Sequence, residues 1–313
     1  MLRTPVSRGA RGGEEPEERP PAEVLWVWAL LALATVSVLE TYGRLPAGDL
    51  YHVSSSGLVG GFSRALVFVD FPVALVAIAI ALVACDRLGG RLAAALAALS
   101  VLLSAVAAWP GVVDQSNLDA KAVNALPALG VALAIGLSVW AARDRGVTVA
   151  PRLRFDPVRA ALAVAFVFAG LPWLLAEVGF SVSEVPGLGN IFLGEQIRPE
   201  SVGETLQVVH LGHHHGADGL YLVLAALFLS RALPRLGRLR SLISAYVALM
   251  LVYGAANYAQ DLWTEQVLKR GWTDRAISSL LHPSLSLGWA VIVCVALGVE
   301  LVVFRTERRG YRG

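Results

Sequence analysis

Long apolar segments alternate with short polar ones along most of the chain. A helix needs about 20 mostly apolar residues to cross a bilayer, and eight segments meet this requirement. The pattern therefore predicts an all-α fold, a polytopic membrane helical bundle with about eight transmembrane helices. The predicted spans are residues 23–40, 65–85, 92–110, 126–142, 159–179, 216–233, 242–260 and 285–304.

These spans divide the chain into three parts. Residues 1–22 combine arginines, glutamates and prolines, and we expect a disordered cytoplasmic tail because such a segment buries too little apolar surface to order itself. Residues 23–304 form a single transmembrane domain, and residues 305–313 form a short basic cytoplasmic tail. The first apolar segment is too long for a secretory signal peptide and lacks its cleavage pattern.

Composition agrees with the membrane class. Hydrophobic residues make up 56% of the chain and charged residues only 16%, whereas charged residues are about 25% of an ordinary soluble domain. The net charge of +2 gives no reason to expect a nucleic-acid partner. Arginine greatly outnumbers lysine and alanine is abundant, which is typical of a GC-rich bacterial genome. We therefore expect a multi-pass protein of the bacterial plasma (inner) membrane.

The basic residues predict the orientation. With the N-terminus inside, 19 of the 26 Lys and Arg residues fall in inner segments and 7 in outer ones. Cytoplasmic loops carry the excess of basic residues, so both termini are predicted to be cytoplasmic. The outer loops, at about 41–64, 111–125, 180–215 and 261–284, are longer than most inner ones. Function is therefore expected on the outer side.

The two halves of the chain are similar in outline. Each has four predicted spans, and Pro127 and Pro283 occupy comparable positions before the last span of each half. One interpretation is an internal 4+4 repeat in parallel orientation. The other is that apolar helices resemble one another by chance.

All six histidines fall on the predicted outer side, four of them in the stretch HLGHHHGADG at 210–219. On a helix His210, His214 and Asp218 share one face, with His213 beside them. Imidazoles one turn apart can bind a metal ion, and a carboxylate can complete the set. This predicts a divalent metal, zinc first, bound by some of five residues. The predicted ligands are His210, His213, His214, Asp218 and His282.

Two features leave the histidine stretch open to another interpretation. Glycines at 212, 216 and 219 weaken the helix and indicate either a turn or a close approach of another segment. Three consecutive histidines also cannot all face one site. Residues 213–215 are therefore either part of a metal site or a solvated loop.

Acidic and amide side chains lie close to the outer ends of the apolar segments. Asp70 lies inside the second predicted span, Asp261 ends the seventh, and Asn257 precedes Asp261 by one turn. Ionisable groups at membrane depth are costly, so they usually face the bundle interior and have a partner or a role. We expect a polar cavity that opens outward, with Glu177 or Asp261 as a general base.

Three functional hypotheses follow. The first is a metal-dependent membrane enzyme that acts on a lipid or lipid-linked substrate at the outer face. The second is an ion-coupled transporter in which Asp70 and Asp261 bind a proton or cation. The third is a non-catalytic assembly subunit. The enzyme is preferred slightly, because the polar groups crowd the outer end and no predicted span is clearly interrupted. No P-loop, HExxH, nucleophile elbow or dinucleotide fingerprint is present.

Overall fold

The computed structural model describes residues 19–50, 53–114, 117–180, 186–187, 211 and 215–307. Within those residues the fold is all helical, with nine main helices and no strands. The helices are α1 Glu23–Arg44, α2 Gly57–Leu88, α3 Gly90–Ala108, α4 Ala122–Arg145, α5 Asp156–Ala169, α6 Leu171–Glu177, α7 His215–Ser230, α8 Arg240–Leu268 and α9 Leu287–Glu307.

Six of these helices are long and apolar enough to cross a membrane: α1, α2, α3, α4, α8 and α9. The fifth predicted span coincides with α5 and α6, which together are apolar enough to span but are bent by 64°. The sixth coincides with α7, which has only 16 residues. The all-helical, membrane-like class is confirmed, and the count of eight crossings stays a prediction.

Two interruptions of the described helices lie next to a proline, and α8 and α9 contain further π-helical segments at Thr264–Leu268 and Glu300–Phe304. In α2 the segment Val69–Val73 is π-helical and contains Pro72, which has no N–H to continue the regular helical ladder. Gly170 separates α5 from α6, and Pro172 lies in the first turn of α6, where proline is tolerated. The apolar pattern of the sequence continues across both interruptions, so it did not reveal them.

The core lies around α2 and between α7 and α8. The second half of α2 is almost completely buried. The closest approach of α7 to α8 is at Gly219 and Gly254, where a Cβ atom on Gly219 would lie 2.6 Å from the Gly254 carbonyl oxygen. Small residues allow this close backbone packing, which is common between membrane helices.

The described chain enters and leaves the bundle at the same end. The Ala22 N–H donates to the Thr148 carbonyl (2.8 Å), and Glu23 accepts from Arg235 after α7 (2.9 Å). Arg159 at the start of α5 pairs with Glu307 at the end of α9. The start of α1, the end of α7, the start of α5 and the end of α9 therefore lie at one end of the bundle. The side that faces the cytoplasm stays a prediction of the arginine distribution.

The outer loop predicted at residues 41–64 is shorter than expected. Helix α2 begins at Gly57, and Arg64 lies inside it with no exposed surface. The prediction that Arg64 belongs to a loop was therefore wrong. The charge of Arg64 predicts that the apolar segment ends there, whereas the bundle encloses this charge together with an acidic partner.

Candidate functional site

The histidines His210, His213 and His214 lie outside the described residues. The other predicted site residues are described, and the structure groups most of them around the first turn of α7 and the neighbouring parts of α2, α6 and α8. These are Asp70, Glu177, Asp218, Asn257, Asp261 and His282.

Glu177 and Arg64 form a buried charge pair. Glu177 is the last residue of α6, and its carbonyl accepts a hydrogen bond from the Thr41 hydroxyl of α1 (2.8 Å). Its carboxylate Oε1 lies 4.0 Å from Arg64 Nη2, and both side chains are almost fully buried. The Arg64 guanidinium also lies over the Tyr42 ring, 5.6 Å from its centroid. The pair thus joins α1, α2 and α6.

Asp218 extends this pair into α7. It is fully buried, and its Oδ2 lies 3.7 Å from Nδ1 of His215. Its charge also interacts with Arg64 and Glu177. The structure therefore brings one guanidinium, one imidazole and two carboxyls together from three helices. We call these four residues, together with Asp261 of α8, which accepts the Gly216 N–H, the acidic cluster (Arg64, Glu177, His215, Asp218 and Asp261).

Asp261 and Asn257 connect α8 to the start of α7. Asp261 Oδ2 accepts the Gly216 N–H at 2.8 Å, and Asn257 Nδ2 donates to the His215 carbonyl at 3.4 Å. The first N–H groups of a helix have no partner within the helix, and Asp261 supplies one. A Cβ atom on Gly216 would lie 2.4 Å from the Trp173 ring and 2.7 Å from Asp261 Oδ2. Gly216 therefore marks a close approach.

Asp70 lies beside this cluster but has different surroundings. It is fully buried, at the π-helical segment of α2. Thirteen residues at 1.5 Å each place it about 20 Å along the helix from Gly57. Its carboxyl interacts with the Asn124 side chain, whose own Oδ1 accepts the Lys121 N–H. Among the described residues no cationic side chain pairs with it.

Phe71 connects Asp70 to the cluster. Its ring packs edge-on against the His215 ring, with centroids 6.4 Å apart, and against Tyr253 of α8 at 6.3 Å. The π-helical segment that carries Asp70 is therefore packed against the start of the described part of α7. The roles predicted for these acids and imidazoles stay predictions.

His282 approaches the cluster from the segment between α8 and α9. The Tyr253 hydroxyl donates to the Leu281 carbonyl (2.7 Å), which holds this segment against the bundle. His282 is half-buried and faces His215 and Asp114. Burial and the neighbouring His215 lower the pKa of the His282 imidazole below its usual value, and Asp114 opposes them.

A metal site is not formed by the part of the chain that the structure describes. No group of three His, Cys, Asp or Glu side chains among those residues is arranged to hold a metal ion. Since three of the five predicted ligands lie outside that part, the zinc hypothesis stays a prediction.

Sequence reasoning missed two members of the cluster, Arg64 and His215. The sequence signal that Arg64 is buried in a helix was the apolar segment on both sides of it. The signal for His215 was its spacing from Asp218, because residues three apart are neighbours on a helix. The predicted register began at His210, and the described part of this helix runs from His215 to Ser230.

Comparison with known proteins gives no relative. No protein-family model matches the chain, and no curated protein or solved structure matches it. The functional argument therefore depends on the geometry alone.

Proposed function

We propose that this chain is a multi-pass plasma-membrane protein with eight crossings and cytoplasmic termini, and that it is a transporter coupled to a proton or cation. The observation that carries the proposal is Asp70. It is a fully buried carboxyl at an interruption of a candidate membrane-spanning helix. Among the described residues it has an amide neighbour and no cationic partner.

The charge balance of the buried groups supports this proposal. Within the described residues, Glu177 lies beside Arg64 and Asp218 beside His215, whereas Asp70 has no cationic partner. An uncompensated buried ion costs several kcal/mol. A proton or a bound cation at Asp70 would remove this cost. Reversible binding of such a cation is the step that a coupled carrier requires.

The helix interruptions support transport over catalysis. Carrier sites are typically formed at discontinuous helices near the middle of the membrane, and π-helical turns are frequent at functional sites. Of the three π-helical segments in the described candidate spans, the one in α2 carries Asp70 and contains Pro72. The α5–α6 pair is bent by 64° at Gly170, and Glu177 lies at the far end of α6. The preference for an enzyme assumed that no span is interrupted, and this premise no longer holds.

The test measures charge movement across the membrane and does not require that the substrate be known. The purified protein is reconstituted into vesicles on a solid-supported electrode, and the external pH or the Na⁺ concentration is stepped. We expect a transient current that Asp70→Asn abolishes and that Glu40→Gln, a change at an exposed acid of α1, leaves intact. The proposal fails if the native protein gives no current with H⁺, Na⁺ or K⁺. It also fails if a correctly folded Asp70→Asn protein gives an undiminished current.

The metal-dependent enzyme is a second candidate function, with a lipid or lipid-linked substrate. It is favoured by His215, Asp218 and Asp261, which meet just after the stretch that contains His210, His213 and His214. Zinc analysis of the purified native protein and of His210→Ala/His214→Ala decides it. Stoichiometric zinc that the double variant loses supports the enzyme, and a metal-free protein that takes up none eliminates it. An assembly subunit would keep its cellular phenotype in the double variant.

A further inference from the structure

A groove of about 320 Å³ lies between α5 and α7, toward the end of α7 that is opposite Asp218. This volume is within the roughly 300–1,000 Å³ of typical ligand pockets. Its wall is apolar along most of its length and charged at one end. The apolar wall consists of Ala160, Ala163, Leu224, Leu227 and Phe228, and the charged end of Asp156, Arg159 and Arg231.

The groove opens toward the surroundings of the bundle. Helix α5 exposes a row of large apolar side chains on its outer surface, among them Val164 and Phe168, both 69% exposed. In a protein that crosses a membrane, such a surface faces lipid tails. An acyl chain can therefore enter the groove sideways without leaving an apolar environment.

The charged end of the groove lies next to a strongly basic segment. Residues 143–159 carry five arginines and two aspartates. Arg159 and Arg231 at the groove are already paired with Asp156, Glu23 and Glu307. Arg152 and Arg154 are exposed just before α5, and Arg154 lies over the Phe155 ring. The backbone beside these two arginines contacts the charged end, because Arg231 donates to the Pro151 carbonyl and the Leu153 N–H donates to Asp156.

We propose that this groove binds an anionic phospholipid, with one acyl chain along the apolar wall and the phosphate at Arg152 and Arg154. The two parts of such a lipid match the two parts of the groove, and basic pockets between helices at the cytoplasmic side are known to bind anionic headgroups. A soluble phosphate would use only the charged end. The proposal depends on the chain being in a membrane, but not on ion coupling at Asp70.

The bound lipid has a structural consequence for the site. Helix α5 leads directly into α6, which ends at Glu177. A lipid bound between α5 and α7 would pack against α5 on the side where the groove separates the two helices, and so would fix the position of α5. The lipid composition of the membrane can therefore affect the Arg64–Glu177 pair without contacting it.

The test measures lipid retention on the full chain. The protein is purified in a neutral detergent, and phosphatidylglycerol or phosphatidylcholine is titrated while bound lipid is followed by native mass spectrometry. We expect saturable binding of phosphatidylglycerol and only weak binding of phosphatidylcholine. Ala163→Trp, which fills the groove, should abolish the saturable binding. Val164→Trp, on the outward surface of the same helix, should not.

A second variant pair keeps the test decisive if Ala163→Trp fails to fold. Because each basic residue near a membrane surface contributes a similar attraction, Arg152→Gln/Arg154→Gln should weaken phosphatidylglycerol binding about thirtyfold. Arg91→Gln, at an exposed arginine of α3, which contributes no residue to the groove, should retain it. Equal binding of both lipids, undiminished binding by the double variant, or saturable binding of inorganic phosphate in place of lipid would overturn the proposal. None of these outcomes depends on the current measured for Asp70.

Discussion

Arg159 and Glu307 form a two-point ion pair between the first turn of α5 and the last residue of α9. Nη1 donates to Oε1 at 2.9 Å and Nη2 donates to Oε2 at 2.5 Å, and both side chains are largely buried. The remaining Nε–H donates to the Ser230 hydroxyl of α7 at 2.8 Å. One arginine therefore connects three helices at the end of the bundle where the chain enters and leaves.

Removing the charge of Glu307 should destabilise the fold. Glu307→Gln leaves a buried guanidinium with only a weaker partner in Asp156, and such a loss costs of the order of 3 kcal/mol. Glu40→Gln is the control, because the Glu40–Arg44 pair is more than half exposed and exposed pairs contribute about 0–1 kcal/mol. Unfolding in detergent measures both variants. Equal effects of the two variants would show that the Arg159 pair is not a stabilising contact.

The contact between α7 and α8 should not tolerate a larger residue at Gly219. A Cβ atom there would lie 2.6 Å from the Gly254 carbonyl oxygen and 2.8 Å from the Tyr258 nitrogen, both backbone atoms that cannot move independently. Gly219→Ala should therefore destabilise by about 1–3 kcal/mol. Gly298→Ala in α9 has nothing within 4 Å of the added atom and should be neutral or slightly stabilising. Thermal unfolding measures the stability of both variants. Equal melting temperatures would contradict this packing.

Acidification should weaken the fold through His282. Its pKa is lowered in the folded protein by burial and by His215, so the unfolded chain binds the proton more readily than the folded one. Stability is then fully present above the unfolded value of 6.5 and declines as the pH falls below it. His282→Gln should reduce this decline, seen as a smaller drop in Tm between neutral and mildly acidic pH. An unchanged drop in the variant would exclude His282 as its source.

Labelling of single cysteines on either side of α7 should show that this helix crosses the membrane, as eight crossings require. After replacement of Cys85 and Cys294, a cysteine at Phe180 lies between α6 and α7 and one at Arg238 between α7 and α8, both exposed. In intact cells, an impermeant maleimide should label the first position, and the second only after permeabilisation. Labelling of both from outside would show that α7 does not cross the membrane.

The location of the helices could be predicted because it depends on local composition. All eight predicted apolar segments fall on helices, and six of them are candidate spans. The bend at Gly170 and the π-helical turn at Asp70 could not be predicted in the same way. Proline and glycine also occur in straight membrane helices, and only the packing against neighbouring helices selects the broken geometry.

The candidate site was predicted in part. Asp70, Glu177, Asp218 and Asp261 were selected because ionisable groups in apolar segments need a reason to be there. Arg64 could not be predicted as a site residue, because the sequence around it resembles the end of a loop. Its burial is compensated by Glu177, a residue far along the chain whose position depends on the direction of α6.

The sequence by itself determined that this chain forms apolar helices, where they lie and which acids they carry, because hydropathy and charge act over a few neighbouring residues. Only the tertiary structure decided which charges meet. His215 belongs to the acidic cluster because it lies beside Asp218 on α7, and because Asp261 of α8 accepts the neighbouring Gly216 N–H. Electrostatic pairing depends on distances between helices, and no local pattern in the sequence contains them.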